Sequence, residues 1–222
     1  MREIVMDTET TGLDPAHGHR IVEIGAVELQ HHMPTGRRYH QYINPERDMP
    51  DEAFRVHGLS QAFLAEHPLF AAVADAFLDF IGDSPLVIHN ATFDLKFLNA
   101  ELRSIGRPLL PTDRAIDTLP MAQRKFPGAP ANLDALMRRF GIDGSSRTLH
   151  GALLDSELLA EVYIHLLGGR QVGLELAVSA RRPGVDAPVA KLRPRRHFTA
   201  PADEIAAHEA FIATLKDPIW HR

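Results

Sequence analysis

The sequence predicts an α/β domain in which helices flank a mixed central sheet. Three observations predict this class: short runs rich in β-branched residues, longer segments with apolar residues at helical spacing, and the alternation of the two along the chain. The apolar run at residues 4–6 begins the first expected strand, and residues 21–29 indicate a second. Residues 39–43 indicate a third, so we expect an antiparallel meander at the start of the domain.

Helix and strand signals continue to alternate after the meander. Residues 70–81 carry apolar side chains at the spacing of an amphipathic helix, and residues 85–88 form a short apolar strand. A helix is then expected from about Phe93 to Gly106. Asn132 is a suitable cap for a further helix that ends at Gly141, and a last long helix is predicted over about 151–167.

We divide the chain into a domain at 1–168, a linker at 169–200 and a C-terminal segment at 201–222. The linker has seven Lys or Arg residues against two acidic ones, and three prolines, a composition typical of a flexible, basic connection. The last segment is expected to be a helix with one apolar face, because its apolar residues recur at helical spacing. The residues that define this pattern are Ile205, Ile212 and Leu215, with His208 between them and Trp220 beyond.

The composition excludes several kinds of protein. There is no cysteine, so disulfides, thiolate zinc sites and cysteine nucleophiles are excluded. The formal net charge of −5 argues against a protein that coats DNA electrostatically. No apolar run reaches the roughly 18 residues of a membrane span, and the chain starts with a strand rather than an export signal. We therefore expect a cytoplasmic protein with no membrane contact.

Acidic residues at three separate places are candidates for one metal site. Asp7 and Glu9 are two residues apart at the end of the first strand, so both side chains point to the same face. Two crowded acids repel each other, and a pair of Mg²⁺ or Mn²⁺ ions, which prefer oxygen ligands, would remove that conflict. Asp94 begins the helix after strand 85–88, while His150 precedes the last helix and Asp155 lies in its first turns.

Each of these residues has a simpler structural explanation when it is taken alone. Asp94 suits a helix start, where it interacts favourably with the helix dipole, and His150 and Asp155 can be solvated side chains. Their combined order and spacing are what favour a metal-dependent nuclease.

The motifs resemble those of the DEDD exonuclease superfamily in its histidine subtype, which are DxE, NxxxD and HxxxxD. The matching segments are DTE at 7–9, NATFD at 90–94 and HGALLD at 150–155. Further phrases typical of the family are TTGL at 10–13, VHGL at 56–59 and IDTL at 116–119. The resemblance covers residues 1–168 and implies a ribonuclease-H-like fold and a 3′–5′ exonuclease that releases 5′ mononucleotides.

The resemblance also implies a cofactor and a set of functional residues. Two divalent ions, Mg²⁺ or Mn²⁺, would be held by Asp7, Glu9, Asp94 and Asp155, and His150 would be the general base for the attacking water. The residues expected to contact the substrate are Leu13 at the terminal bases, His57 and Phe93 at the 3′ nucleotide, and Asn90 near the scissile phosphate. Leu13 and Phe93 can also be explained as core residues and Asn90 as a turn residue, and Asp117 is expected to be structural.

The resemblance extends to proteins that assemble with a bacterial replicative polymerase. Residues 171–176, with Gln171, Leu174 and Leu176 as anchors, are similar to a short peptide that binds the sliding clamp. Residues 201–222 are similar to a segment that docks on the polymerase catalytic subunit, with Ile205, Ile212 and Trp220 as candidate contacts. This implies a proofreading exonuclease that acts on the 3′ end of DNA and allows a small accessory subunit as a further partner.

Two alternative functions remain open at this point. The first is a free-standing 3′–5′ exonuclease that trims RNA or repair intermediates with the same active site. The second is a non-catalytic scaffold between polymerase and clamp. The intact acidic residues argue against the scaffold, while the three motifs do not separate RNA from DNA.

Overall fold

The structure, a computed structural model, describes residues 1–145, 149–169 and 200–215. Five strands form one sheet in the order β3-β2-β1-β4-β5. β1 (Arg2–Thr10), β2 (Ile21–Gln30) and β3 (Met33–Tyr42) are antiparallel neighbours, which confirms the predicted meander. β4 (Leu86–Ile88) and β5 (Ala115–Asp117) continue the sheet in parallel with β1. The predicted mixed sheet is therefore confirmed.

Helices lie against both faces of this sheet. The helices of the domain are α1 (Asp51–His57), α2 (Gln61–Leu64), α3 (Phe70–Ile81), α4 (Ala91–Ser104), α5 (Thr118–Lys125), α6 (Leu133–Phe140) and α7 (Ala152–Leu166). The predictions for α3, α4, α6 and α7 are confirmed to within two residues at each end. The Asn132 side chain accepts a hydrogen bond from the Ala135 amide, and Gly141 ends α6 with a φ of 68°, as the sequence predicts.

Alternate residues of the central strand β1 pack into two different cores. Ile4 and Met6 join the core that α3 and α4 cover, whereas Val5 joins the core that α5, α6 and α7 cover. Asp7 and Glu9 continue the odd-numbered series, so they lie on the face of the sheet that carries α7. The alternation of β1 thus places both acids beside the helix that bears Asp155.

The start of α7 lies unusually close to β2 at Gly25. A Cβ atom built on Gly25 would be only 2.1 Å from the Leu153 nitrogen and 2.2 Å from the Ala152 carbonyl carbon. The Ser156 hydroxyl lies 2.9 Å from the Gly25 carbonyl oxygen and 2.7 Å from that of Ala152, and it can donate to either. Gly25 is paired with Asp7 across the β1–β2 ladder, so this contact brings the first turn of α7 next to Asp7.

The C-terminal part of the chain forms a second unit. The chain divides into units at residues 1–174 and 175–222, and the second contains the helix α8 (Ala202–Ala213). Ile205 of α8 is largely exposed and Ile212 is buried. Residues 170–199 of the linker predicted at 169–200, which include Gln171, Leu174 and Leu176, lie outside the described residues, and so does the predicted contact Trp220. Among the helices that the structure describes, none is long and apolar enough to cross a membrane.

We expect Gly25→Ala to destabilise the domain, because the added methyl group collides with the backbone of α7. Overpacking of this kind costs about 1–3 kcal/mol of unfolding free energy. Gly151→Ala is the matched control, since Gly151 immediately precedes α7 and has an extended φ of −151°, and no atom of the described residues lies within 4 Å of an added Cβ. Chemical denaturation of both variants tests this, and equal stability would contradict the close contact.

Candidate active site

The end of β1 provides the first two acids of the site. Asp7 and Glu9 lie on the same face of the strand, and Glu9 is buried whereas Asp7 is partly exposed. Opposite them on β2 are Gly25 and Glu23, which the antiparallel ladder pairs with Asp7 and Glu9 respectively. The prediction that residues 7 and 9 share a face is therefore confirmed.

Asp94 comes to the site from the first turn of α4. Its side chain is 2 % exposed, and its Oδ1 accepts a hydrogen bond from the Thr8 hydroxyl at 2.7 Å. The start of α4 is held by Asp117, whose carboxylate accepts from the amides of Asn90 (3.0 Å) and Ala91 (3.1 Å). The same carboxylate accepts from the Leu119 amide and so begins α5 as well. These bonds give Asp117 the structural role that was predicted.

His150 and Asp155 come to the site from the start of α7. Nδ1 of His150 lies 3.3 Å from Oδ2 of Asp155, and the His150 backbone amide donates to the Val56 carbonyl at the end of α1. Asp155 is buried, while the His150 side chain is 45 % exposed. One ligand atom each from Glu9, His150 and Asp155 lies within 4.8 Å of the other two, a spacing that could hold a metal ion.

Two acids of this cluster, Asp7 and Asp94, have raised pKa values, because they are shielded from water and lie close to other acids. Although part of Asp7 reaches solvent, the protein packed around its carboxyl group desolvates it and raises its pKa well above the usual range, and the charges of Asp94, Glu9 and Asp155 raise it further. Burial also raises the pKa of Asp94 to about 7, although the hydrogen bond from Thr8 opposes that shift. Carboxylate oxygens that repel one another in this way are suited to divalent cations, which compensate the charge. The residues present therefore fit the expected metal ions.

Two neighbouring cavities meet at this cluster. The first, of about 360 Å³, is lined by the five predicted catalytic residues Asp7, Glu9, Asp94, His150 and Asp155, and by Asn90. The second, of about 430 Å³, is lined by Leu13, His57 and Phe93 among others. Thr8, Glu9 and Phe93 line both, so the cavities adjoin. The structure thus places all four predicted substrate contacts beside the acids, and Leu13, at 82 % exposed, is not a core residue.

His57 has an unsatisfied hydrogen-bonding atom beside the second cavity. The residue is 5 % exposed, and its Nδ1 accepts a hydrogen bond from the Leu59 amide at 3.1 Å. Its Nε2 is buried and makes no well-aligned hydrogen bond among the described residues, although an interaction with the Thr10 backbone opposes the lowering of its pKa. Burial lowers the pKa of His57, which favours a neutral ring with the proton on Nε2. A buried donor without a partner is uncommon in proteins, so it is suited to an oxygen atom of a bound ligand.

Two residues next to the predicted acids, Gly25 and Glu23, were not predicted from the sequence. Gly25 sets the position of α7, and Glu23 is a buried acid paired with Glu9. The available signal for Glu23 was an acid inside an otherwise apolar strand segment, IVEIGAV. The partner of Gly25 lies more than 120 residues away, and sequence patterning does not reveal such a contact.

Comparison with known proteins agrees with this fold and site. The pattern of a family described as exonuclease matches residues 4–163. The nuclease domain of 3′hExo, a DEDDh family member solved with rAMP, superposes with a TM-score of 0.64 at 22 % identity, covering 75 % of this chain and 91 % of that one. Exonuclease X, solved with 5′ overhanging duplex DNA, has a TM-score of 0.59 at 26 % identity, covering 74 % of this chain and 90 % of that one. The fold and site define a 3′–5′ exonuclease that depends on divalent metal.

Sequence relatives show to which group of exonucleases this chain belongs. DNA polymerase III subunit epsilon of Rickettsia felis is 59 % identical over 179 residues, which are 79 % of this chain and 78 % of the relative. The same subunit of Escherichia coli K12 is 44 % identical over 222 residues, which are 94 % of this chain and 91 % of the relative. The chain belongs to the exonuclease family of the DNA polymerase III epsilon subunits.

We expect the metal-free protein to lose stability as the pH rises from about 4 to 7. The pKa of Asp94 is about 7 when folded and near 3.8 in an unfolded chain, so the unfolded state releases its proton first. Denaturant unfolding in EDTA across this range measures the loss. Asp94→Asn should show a smaller decline, whereas Asp79→Asn, at an exposed position on α3, should behave as wild type. A decline of equal size in all three proteins would contradict the shifted pKa.

Proposed function

We propose that this chain is the proofreading subunit of a bacterial DNA polymerase III and removes mispaired nucleotides from the 3′ end of DNA. The observation that carries the proposal is the meeting of five functional side chains in one cavity, beside a second cavity lined by Leu13, His57 and Phe93. The two sequence relatives described above match most of the chain, and both are epsilon subunits of that polymerase. The proposed location is the cytoplasm, where bacterial DNA is replicated.

In this proposal the acids of the first cavity hold two divalent ions, Mg²⁺ or Mn²⁺. Such a pair, when bound, activates water and stabilises the charge that develops on the phosphate and the leaving 3′ oxygen. By the resemblance to the exonuclease family, Asp7 would help to hold both ions; it is also the acid whose pKa the charges of Asp94, Glu9 and Asp155 all raise. Glu9 and Asp155 would hold one ion and Asp94 the other.

His150 is proposed to take the proton from the attacking water. Histidine is the side chain that most often serves as a general base, and this ring is exposed enough to exchange its proton with solvent. The contact of its Nδ1 with Asp155 orients the ring, and the bond from its amide to Val56 fixes the backbone. The general base is thus held by two contacts on two different elements.

The second cavity is proposed to receive the terminal nucleotide. The neutral His57 ring can donate from Nε2 to a sugar or phosphate oxygen, and Phe93 provides an apolar wall between the two cavities. Leu13 is exposed at this cavity, where it can pack against a base. A terminal base must leave its partner to enter, and a mispaired base does so at lower cost. The lower cost of unpairing would make the enzyme prefer mismatched ends, and recognition of the identity of the base would not be needed.

We expect the full chain to release 5′ deoxymononucleotides from a 3′-mismatched primer–template in the presence of Mg²⁺ or Mn²⁺ and not in EDTA. Asp7→Ala and Asp155→Asn should each lower the rate by at least about a hundredfold, because removal of a single stabilising group at the transition state commonly has that effect. Asp79→Asn is the control, since its carboxylate is exposed on α3. The rate of release from an end-labelled primer is the measurement.

The same assay separates the proposal from its two alternatives. Faster degradation of a matched RNA strand than of the mismatched DNA would favour the trimming exonuclease. No hydrolysis of either substrate would favour a scaffold between polymerase and clamp. Wild-type activity in either acidic variant would remove that residue from the proposed centre.

The C-terminal segment is proposed to attach the exonuclease to its partners. Residues 201–222 would dock on the polymerase catalytic subunit and residues 171–176 on the sliding clamp, by the resemblance noted above. A small accessory subunit that binds the domain remains a further proposal. A flexible connection would raise the local concentration of the nuclease at the primer end to roughly the millimolar range.

We expect deletion of 201–222 to abolish binding to the polymerase catalytic subunit while the hydrolysis rate on free DNA stays within about twofold of wild type. The reason is that the five catalytic side chains all lie within the unit at 1–174. Analytical size-exclusion chromatography with the purified polymerase subunit, alongside the primer assay, measures both properties. Retained binding would place the docking surface on the domain.

A further inference from the structure

Glu23 is a buried acid beside the active site to which no role has been assigned. It lies on β2, where the ladder pairs it with Glu9, so the two side chains project from the same face of the sheet. It is only 3 % exposed. A buried carboxylate costs free energy unless other groups compensate it, so its place beside several other acids calls for an explanation.

The recorded partner of Glu23 comes from the neighbouring strand. Nε2 of His40, on β3, lies 2.7 Å from Oε1 of Glu23, and the His40 side chain is partly exposed. This bond fixes the position of the carboxylate and compensates part of its burial. The carboxylate is therefore fixed on the strand position paired with Glu9, and its charge is the smallest of those that raise the pKa of Asp7.

We propose that Glu23, held in place by His40, strengthens the binding of divalent cations at Asp7, Glu9, Asp94 and Asp155 without being a ligand itself. The charge of Glu23 adds to the repulsion among the acids when no cation is bound, and it attracts the cations when they are bound. A negative charge several ångströms from a divalent ion is attracted to it strongly at the effective dielectric constant of a protein. This inference rests on the metal centre of the proposed function.

A second glutamate–histidine pair in the same domain provides a matched control. Glu3, on the same face of β1, is 1 % exposed; its Oε2 lies 2.8 Å from Nδ1 of His32, and its Oε1 accepts a hydrogen bond from the Tyr163 hydroxyl at 2.8 Å. It precedes Asp7 by four residues, which is about 13 Å along a strand. If these pairs only join strands together, replacing either glutamate should have similar consequences. If charge near the cations matters, only Glu23 should influence their binding.

The experiment is Mn²⁺ binding to the full chain without substrate, measured by the electron paramagnetic resonance signal of free Mn²⁺. Glu23→Gln keeps the size and an acceptor for His40 but removes the charge, and we expect it to raise the dissociation constant about tenfold or more. Glu23→Asp keeps the charge and should bind within about threefold of wild type, since the attraction is conserved. Glu3→Gln should bind as wild type does.

Each other outcome has a defined meaning. Wild-type affinity in Glu23→Gln, or equal loss in Glu23→Gln and Glu3→Gln, would overturn the proposal. Equal loss in Glu23→Gln and Glu23→Asp would do so too, because charge would not then be the cause. Asp7→Asn separates this proposal from the function itself: unchanged Mn²⁺ binding there would overturn the metal centre, whereas loss there with no effect of Glu23→Gln would overturn only the inference about Glu23.

Discussion

Several carboxylates are held together in this fold against their mutual repulsion. The acids come from β1, α4 and α7, so the fold has to fix three elements with respect to one another. Gly25 lets α7 approach the sheet, the hydroxyl of Thr8 binds Asp94, and Asp117 ties down the start of α4. None of these three contacts takes part in chemistry. Together they supply the positional restraint that a site of like charges requires.

The parts of this arrangement that depend on local periodicity could be predicted from the sequence. Alternation along β1 placed Asp7 and Glu9 on one face, and helical spacing gave α3 over residues 70–81. β5, with three residues, and α1, with seven, are too short to show a period, and both were missed. The first half of β3 was missed because its residues are exposed and it is held to β2 by backbone pairing. The convergence of Asp94 and Asp155 on Asp7 depends on contacts across most of the chain, so the family motifs indicated it and local patterns did not.

The two histidines of the site show how one residue type can serve two purposes. His57 is buried, its Nδ1 is occupied by the Leu59 amide, and burial lowers its pKa, so it suits a fixed hydrogen-bond donor. His150 is exposed and contacts a carboxylate, so it suits a group that gains and loses a proton. The Val56 carbonyl, next to His57 in sequence, binds the His150 amide and therefore links the two. The difference between the two proposed roles, recognition and proton transfer, follows from the burial of each ring together with its partner.

The same repulsion couples the stability of the domain to its activity. Without cations, the charged forms of Asp7 and Asp94 oppose folding, and the neutral forms that their raised pKa values favour cannot bind a metal ion well. Cations remove the repulsion and so stabilise the folded state by mass action. Removal of one acid therefore has two opposite effects: it lowers the repulsion in the metal-free protein, and it weakens the binding of cations. A site of this kind lowers the stability of the metal-free protein but is required for function. We therefore expect that substitutions of its acids would stabilise the metal-free protein and abolish activity.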